Sequence, residues 1–183
     1  MAGISRDELL RALRRLGELA LAEGLTLELC LYGGRAFMLV YGTRIATRDE
    51  NSWINSCGIG LRLAKIVAVE QGLPNDWLND QMKVLFASIG GRSNLPLAIP
   101  GLKLYASIAS HLLALKTLAC CPPNSRRRGD WDDLKFLINK MEIKSPDEIK
   151  EHIDRYYPEH KLTAPQWEIL TEILEEAIRE HKM

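Results

Sequence analysis

Residues 33–51 combine a glycine pair, Gly33-Gly34, with Arg44, Thr47, Asp49 and Asn51. A glycine turn leading from a strand into a helix exposes backbone N–H groups at the helix start. Glycine lets a phosphate approach that backbone closely, and a helix N-terminus favours its negative charge. Residues two apart on a strand share a face. Read as part of a strand over residues 44–51, Asp49 and Asn51 therefore present two oxygens side by side. Paired oxygens of this kind hold Mg²⁺ against a triphosphate in phosphoryl and nucleotidyl transfer. One of the two is an amide, which a hard cation accepts but binds less strongly than a carboxylate. Glu50 points to the opposite face unless the strand bulges. Each of these residues also has an ordinary reading. The glycines suit a plain turn, Asp49 a solvated carboxylate, and Thr47 any strand, while Arg44 can pair with Asp49 and order the loop.

The elements that must position this stretch are legible on either side of it. Ser5 with Glu8 forms a capping box, and Leu9, Leu10, Leu13, Leu16, Leu19 and Ala20 follow helical spacing up to Gly24. Residues 25–32 alternate as a strand, and residues 35–41 read as a short helix ended near Gly42. A helix is expected over 59–71, stopped by Gly72-Leu73-Pro74, and then a helical turn at 76–80. Short strands are expected near 82–88 and 97–105. From Ser107 the chain is helical by pattern, with helices over 107–120, 130–142, 145–155 and 164–181. Ser145-Pro146-Asp147-Glu148 is a clear start signal. The fold class is thus α+β: a small mixed sheet packed with helices over residues 1–106, then a helical region over 107–183. The two parts can share one core.

Further groups with chemistry lie downstream. Lys116 sits among Leu112, Leu113, Leu115 and Leu118. It either snorkels from a helix surface or meets a phosphate as a point charge. Arg126-Arg127-Arg128 is a basic loop, either solvated or an electrostatic handle for a triphosphate or an RNA. Asp130, Asp132 and Asp133 open a helix, where acidic residues stabilise by about 0.3–1 kcal/mol each. Asp133 can also fix the helix start through a buried hydrogen bond. Trp131 is placed to border a base pocket, and the other tryptophans read as packing. The histidines are scattered, so no hydrolase triad can be assembled. Residues 164–181 carry an apolar stripe, Leu170, Ile173, Leu174 and Ile178, suited to docking on the domain.

Four motifs in order, Gly33-Gly34-x-Ala36, Tyr41-Gly42-x-Arg44-x-x-Thr47-x-Asp49-x-Asn51, Gly72-Leu73-Pro74-x-Asp76-Trp77-Leu78-Asn79-Asp80, and Leu112-Leu113-Ala114-x-Lys116-x-x-Ala119 followed by Asp130-x-x-Asp133-Leu134, resemble the nucleotidyltransferase superfamily. The resemblance is to its bacterial toxin-like branch (AbiEii/MenA-type and related domains) and spans about residues 8–138. It implies a DNA polymerase β-like fold. It implies transfer of a nucleoside monophosphate from an NTP, with Mg²⁺, to a tRNA end or a protein hydroxyl. By position, Gly33 and Gly34 would cradle triphosphate, Asp49 would hold metal, and Asn51 fills the second ligand position. Lys116 would contact phosphate, and Asp130 would be the third acidic group, a base or metal neighbour. Arg44, Thr47 and Arg128 belong to the same phosphate-handling set. Asn51 stands where the branch usually has aspartate. The alternative it raises is a catalytically silent module that binds a nucleotide or a partner, for instance an antitoxin.

Bulk properties set the frame. The 183 residues carry 24 Lys+Arg against 24 Asp+Glu, so any nucleic-acid footprint must be local. With 46% apolar residues a core forms without staples. The cysteines, Cys30, Cys57, Cys120 and Cys121, form no CxxC pair and read as free thiols. The N-terminus is charged, and no run approaches the roughly 18 apolar residues of a membrane span. The chain reads as a soluble, cytoplasmic protein with no membrane partner.

Overall fold

The computed structural model describes residues 3–47, 52–80, 91–120 and 128–181. The chain divides into two compact units, Met1–Phe86 with Arg92–Ser107, and Ala87–Gly91 with Ile108–Met183.

The first unit is a mixed sheet backed by helices. Strand β1 (Ile4–Ser5) leads into helix α1 (Arg6–Ala22). The expected capping box is present: the Glu8 N–H donates to Ser5 Oγ at 3.3 Å, and the Ser5 N–H donates to Glu8 Oε2 at 2.8 Å. Strand β2 (Leu27–Leu31) runs into helix α2 (Gly33–Ala36), which continues as a wider, π-type turn over Phe37–Tyr41. Gly42, left-handed at φ +67°, closes it by donating its N–H to the Phe37 carbonyl.

Strands β3 (Ala46–Thr47) and β4 (Ser52–Ile54), helix α3 (Cys57–Gln71), and strands β5 (Arg92–Asn94) and β6 (Leu102–Ser107) follow. The principal sheet has the order β4-β2-β6-β5; β2 and β6 are parallel, and β4 and β5 each run antiparallel to their neighbour. Alternation puts Leu27, Leu29, Ile54, Leu102 and Leu104 on one face. There they form a core with Leu9, Leu13 and Leu16 of α1 and Leu63 and Val67 of α3.

The structure departs from the sequence reading in three places. The strand expected over 44–51 is not one element among the described residues. Ala46–Thr47 pairs with β1 in a separate two-stranded sheet, while β4 is the strand beside β2. Residues 48–51 lie outside the described residues, as does the strand expected near 82–88. The strand expected over 97–105 starts only at Leu102. Pro100 has no N–H and Gly101 sits at φ +81°, so residues 99–102 make a turn closed by Leu102 N–H to Ile99 O at 3.0 Å. Residues 76–80 form no helical segment; the hydrogen bond there is a single turn, Trp77 N–H to Pro74 O at 3.0 Å.

The second unit contains helices α4 (Ala109–Cys120), α5 (Arg128–Lys140), α6 (Pro146–Tyr156) and α7 (Ala164–His181). Helix α4 packs against α5 and α6, and α5 against α7. Helix α7 buries Leu170, Ile173, Leu174 and Ala177, so its stripe docks within this unit. Ser145 caps α6 as expected, accepting from Glu148 N–H at 3.4 Å. None of the described helices is long and apolar enough to cross a membrane.

Two glycines of α3 give a packing test. A methyl on Gly58 meets nothing within 4 Å, whereas one on Gly60 would lie 2.1 Å from Ile54 Cδ1. Gly58→Ala is expected to stabilise by about 0.5–1 kcal/mol through the cost it removes from the unfolded chain. Gly60→Ala is expected to destabilise by about 1–3 kcal/mol through overpacking. Urea denaturation of the two variants measures both signs.

Candidate functional site

Strand β2 is hydrogen-bonded on both sides, and its register sets the site. Leu31 is opposite Ser52 of β4 and Ala106 of β6. Because β4 is antiparallel and β6 parallel, β4 begins and β6 ends at the sheet end where β2 finishes. Gly33 follows one residue after Tyr32, with φ +50°. A side chain at that backbone angle is strained, so glycine is what lets the chain pass from strand to helix there. Gly33 and Gly34 are both buried.

This corner holds a charge that the sequence reading took for an ordinary helix residue. Arg35 is 1% exposed. Its Nη1 donates to Ser52 Oγ at 3.0 Å, and its guanidinium carbon lies 5.9 Å from the centre of the Trp77 ring. Trp77 is itself fixed, donating its indole N–H to Ala64 O at 2.8 Å. Asp80 Oδ1 accepts the Ile54 N–H of β4 at 3.1 Å. The segment 72–80 thus serves as scaffold: it satisfies a backbone donor of β4 and provides an aromatic face for Arg35. Only the place of Arg35 directly after the glycine pair could have signalled its burial.

Thr47 is buried on β3, opposite Ile4, and α2 packs beside β3. Arg44 lies with its guanidinium carbon 5.9 Å from the centre of the Phe37 ring. Gly33, Gly34, Arg44 and Thr47 therefore all belong to the first unit. Asp49 and Asn51, the expected metal ligands, lie outside the described residues.

Lys116, Asp130 and Asp133 are brought together in the second unit. Lys116 Nζ lies 2.7 Å from Asp130 Oδ1 and 2.9 Å from Asp133 Oδ2. Lys116 is buried rather than snorkelling, its side chain 8% exposed against 20% for Asp130 and 6% for Asp133. The cluster ties α4 to α5. A phosphate on Lys116 would have to compete with Asp130, and a divalent cation between the two carboxylates would have to displace the ammonium. This trio does not fit a Mg²⁺ site. Among the described residues no three His, Cys, Asp or Glu side chains form a metal-holding group. Arg128 is the first residue of α5 and its side chain lies outside the description, as do Arg126 and Arg127.

His111, one of the scattered histidines, is buried between two partners. Its Nδ1 is 3.1 Å from the Gly91 carbonyl and its Nε2 is 2.8 Å from Tyr157 Oη. A carbonyl only accepts, so Nδ1 carries the proton and Nε2 of the neutral ring accepts from the tyrosine. Burial lowers the His111 pKa and raises that of Tyr157. The ring is a structural link in the second unit. Cys30 is buried on β2, its thiol pushed up to about 11 by desolvation, which makes it a poor nucleophile.

Comparison with protein families, curated proteins and solved structures finds no match to this chain.

Two predictions concern the second unit. Lys116→Met leaves a buried and a half-buried carboxylate without their cation and is expected to cost about 3 kcal/mol in urea denaturation. Adding Asp133→Leu to that variant is expected to recover part of the loss. The depressed pKa of His111 means that the unfolded chain takes up its proton first as pH falls. The stability tied to neutral His111 is complete above pH 6.5, its ordinary value, and is lost as pH falls from there through the folded value. Melting curves between neutral and acid pH are expected to show a shallower decline for His111→Gln than for the wild type.

Proposed function

We propose that this chain is a nucleotidyltransferase-fold protein that binds a nucleoside triphosphate at the carboxyl end of β2. It transfers the nucleoside monophosphate to a hydroxyl of an RNA end or a protein. The observation that carries this reading is the register of Leu31 with Ser52. It sets the start of β4 at the same sheet end as the left-handed Gly33 turn. The glycine turn and the chain entering β4 are the two parts that phosphate handling needs close together.

Three further features support it. Strands β2 and β6 are parallel neighbours, and ligands of open α/β sheets sit outside the carboxyl ends of such strands. The buried Arg35 ties the helix after the turn to the start of β4 through Ser52. The mixed sheet followed by a helical unit agrees with the arrangement that the sequence resemblance implies.

In the reaction, the acceptor oxygen bonds to the α-phosphorus and the bond to the bridging oxygen breaks. Pyrophosphate leaves, and the acceptor proton passes to a base. Mg²⁺ bound by Asp49 and Asn51 would neutralise the triphosphate; no other described group is offered for it. Lys116 and Asp130 enter this reading through the sequence resemblance alone.

Asn51 favours a second reading. A neutral amide in place of a charged ligand weakens a Mg²⁺ site. A catalytically silent protein of the same fold, binding a nucleotide or an antitoxin-like partner, is its natural consequence. The test is incubation with each labelled NTP, Mg²⁺ and total tRNA. Label transferred to RNA or protein by the wild type is the expected outcome for an enzyme. An inactive wild type with an active Asn51→Asp variant establishes the silent reading. Inactivity of both, without NTP binding, ends the assignment.

A further inference from the structure

The second unit carries an open pocket of about 270 Å³ where α6 ends and α7 begins. Local signals shape it. Tyr157 closes α6 by donating its N–H to the Ile153 carbonyl at 2.6 Å, and the His160 N–H donates to the Tyr157 carbonyl at 2.9 Å. The chain then enters α7 through a cap. The Thr163 N–H donates to Gln166 Oε1 at 2.8 Å, and the Trp167 N–H donates to the Thr163 carbonyl at 3.0 Å. Leu162 before the cap and Trp167 after it hold the two positions of a hydrophobic staple. Both are half-buried, and both line the pocket. Ile153 and Pro158 complete an apolar lining.

The polar groups around this lining are mostly donors. Asp154, the one carboxylate among the lining residues, is paired with Lys150 on its own helix. Lys161 has no ion-pair partner among the described residues, and the indole N–H of Trp167 has no acceptor among them. The His160 ring stands edge-on to Tyr157, with centroids 5.8 Å apart, which holds it beside the pocket. An apolar lining with a few placed polar groups is the usual make-up of a small-molecule site. At about 270 Å³ the pocket falls just under the range of about 300–1,000 Å³ typical of such sites, so its occupant is small. One uncompensated ammonium balances one negative charge, which favours a carboxylate over a phosphate dianion.

We propose that this pocket binds a small aromatic carboxylate, with the ring against Trp167 and Leu162 and the carboxylate on Lys161. The inference is independent of the nucleotide site, since every residue it uses lies in the second unit.

The experiment is an NMR titration of the isotope-labelled full chain with phenylacetate, phenylacetamide, acetate and phenyl phosphate, read at the tryptophan indole N–H signals. Trp167→Phe identifies the Trp167 signal by its loss. Phenylacetate is expected to shift that signal and to bind about threefold or more tighter than the neutral amide or acetate. Lys161→Met is expected to remove the advantage of the acid and leave the amide unchanged, while Lys161→Arg keeps it. An unmoved Trp167 signal overturns the proposal, as does wild-type affinity for phenylacetate in Lys161→Met. Equal affinity for acid and amide overturns it without any variant, so a variant that fails to fold does not shield it. Acetate binding as tightly as phenylacetate means that surface charge alone is read, and phenyl phosphate binding more tightly overturns the carboxylate assignment.

Discussion

Everything in the first unit depends on β2 being hydrogen-bonded on both sides. A central strand with buried residues on both faces cannot fray into solvent. It must be left abruptly, and the left-handed Gly33 does this one residue after Tyr32. The neighbours then follow. Strand β4 starts where β2 ends because it is antiparallel, and β6 ends there because it is parallel. A turn, a strand start and a strand end thus meet at one edge of the sheet without any of them being long.

Among the described residues two long cationic side chains, Lys116 and Arg35, are buried, and each joins separate elements. Lys116 is held by two carboxylates, so its charge is spent on joining α4 to α5. Arg35 donates to the Ser52 hydroxyl and lies against the Trp77 ring, so it joins α2 to β4 and to the segment that carries Trp77.

The helices were largely legible. Capping at Ser5 and Ser145, periodicity in α1 and α7, and the stop at Gly72 are local signals read from a few adjacent residues. The short strands were not. β5, Arg-Ser-Asn, has no apolar alternation to detect, because its residues are exposed and its strand character comes from pairing with β6. Ala46–Thr47 lies in a stretch that reads as one strand, yet its partner is the N-terminal β1. Pairing partners far along the chain leave no mark on such short segments.

Of the candidate site, the sequence by itself determined the glycine turn and the residue types around it. A left-handed backbone leaves few choices, and that constraint is local. It also determined the acidic start of α5, which stabilises a helix N-terminus wherever the helix sits. Only the tertiary structure decided that Arg35 is buried, that Lys116 is paired twice, and that Arg92 lies across Trp53 and Tyr105. Each of these depends on residues 13 to 42 positions apart in sequence being brought within a few ångströms. Burial and charge pairing are properties of that proximity, and no spacing along the chain encodes them.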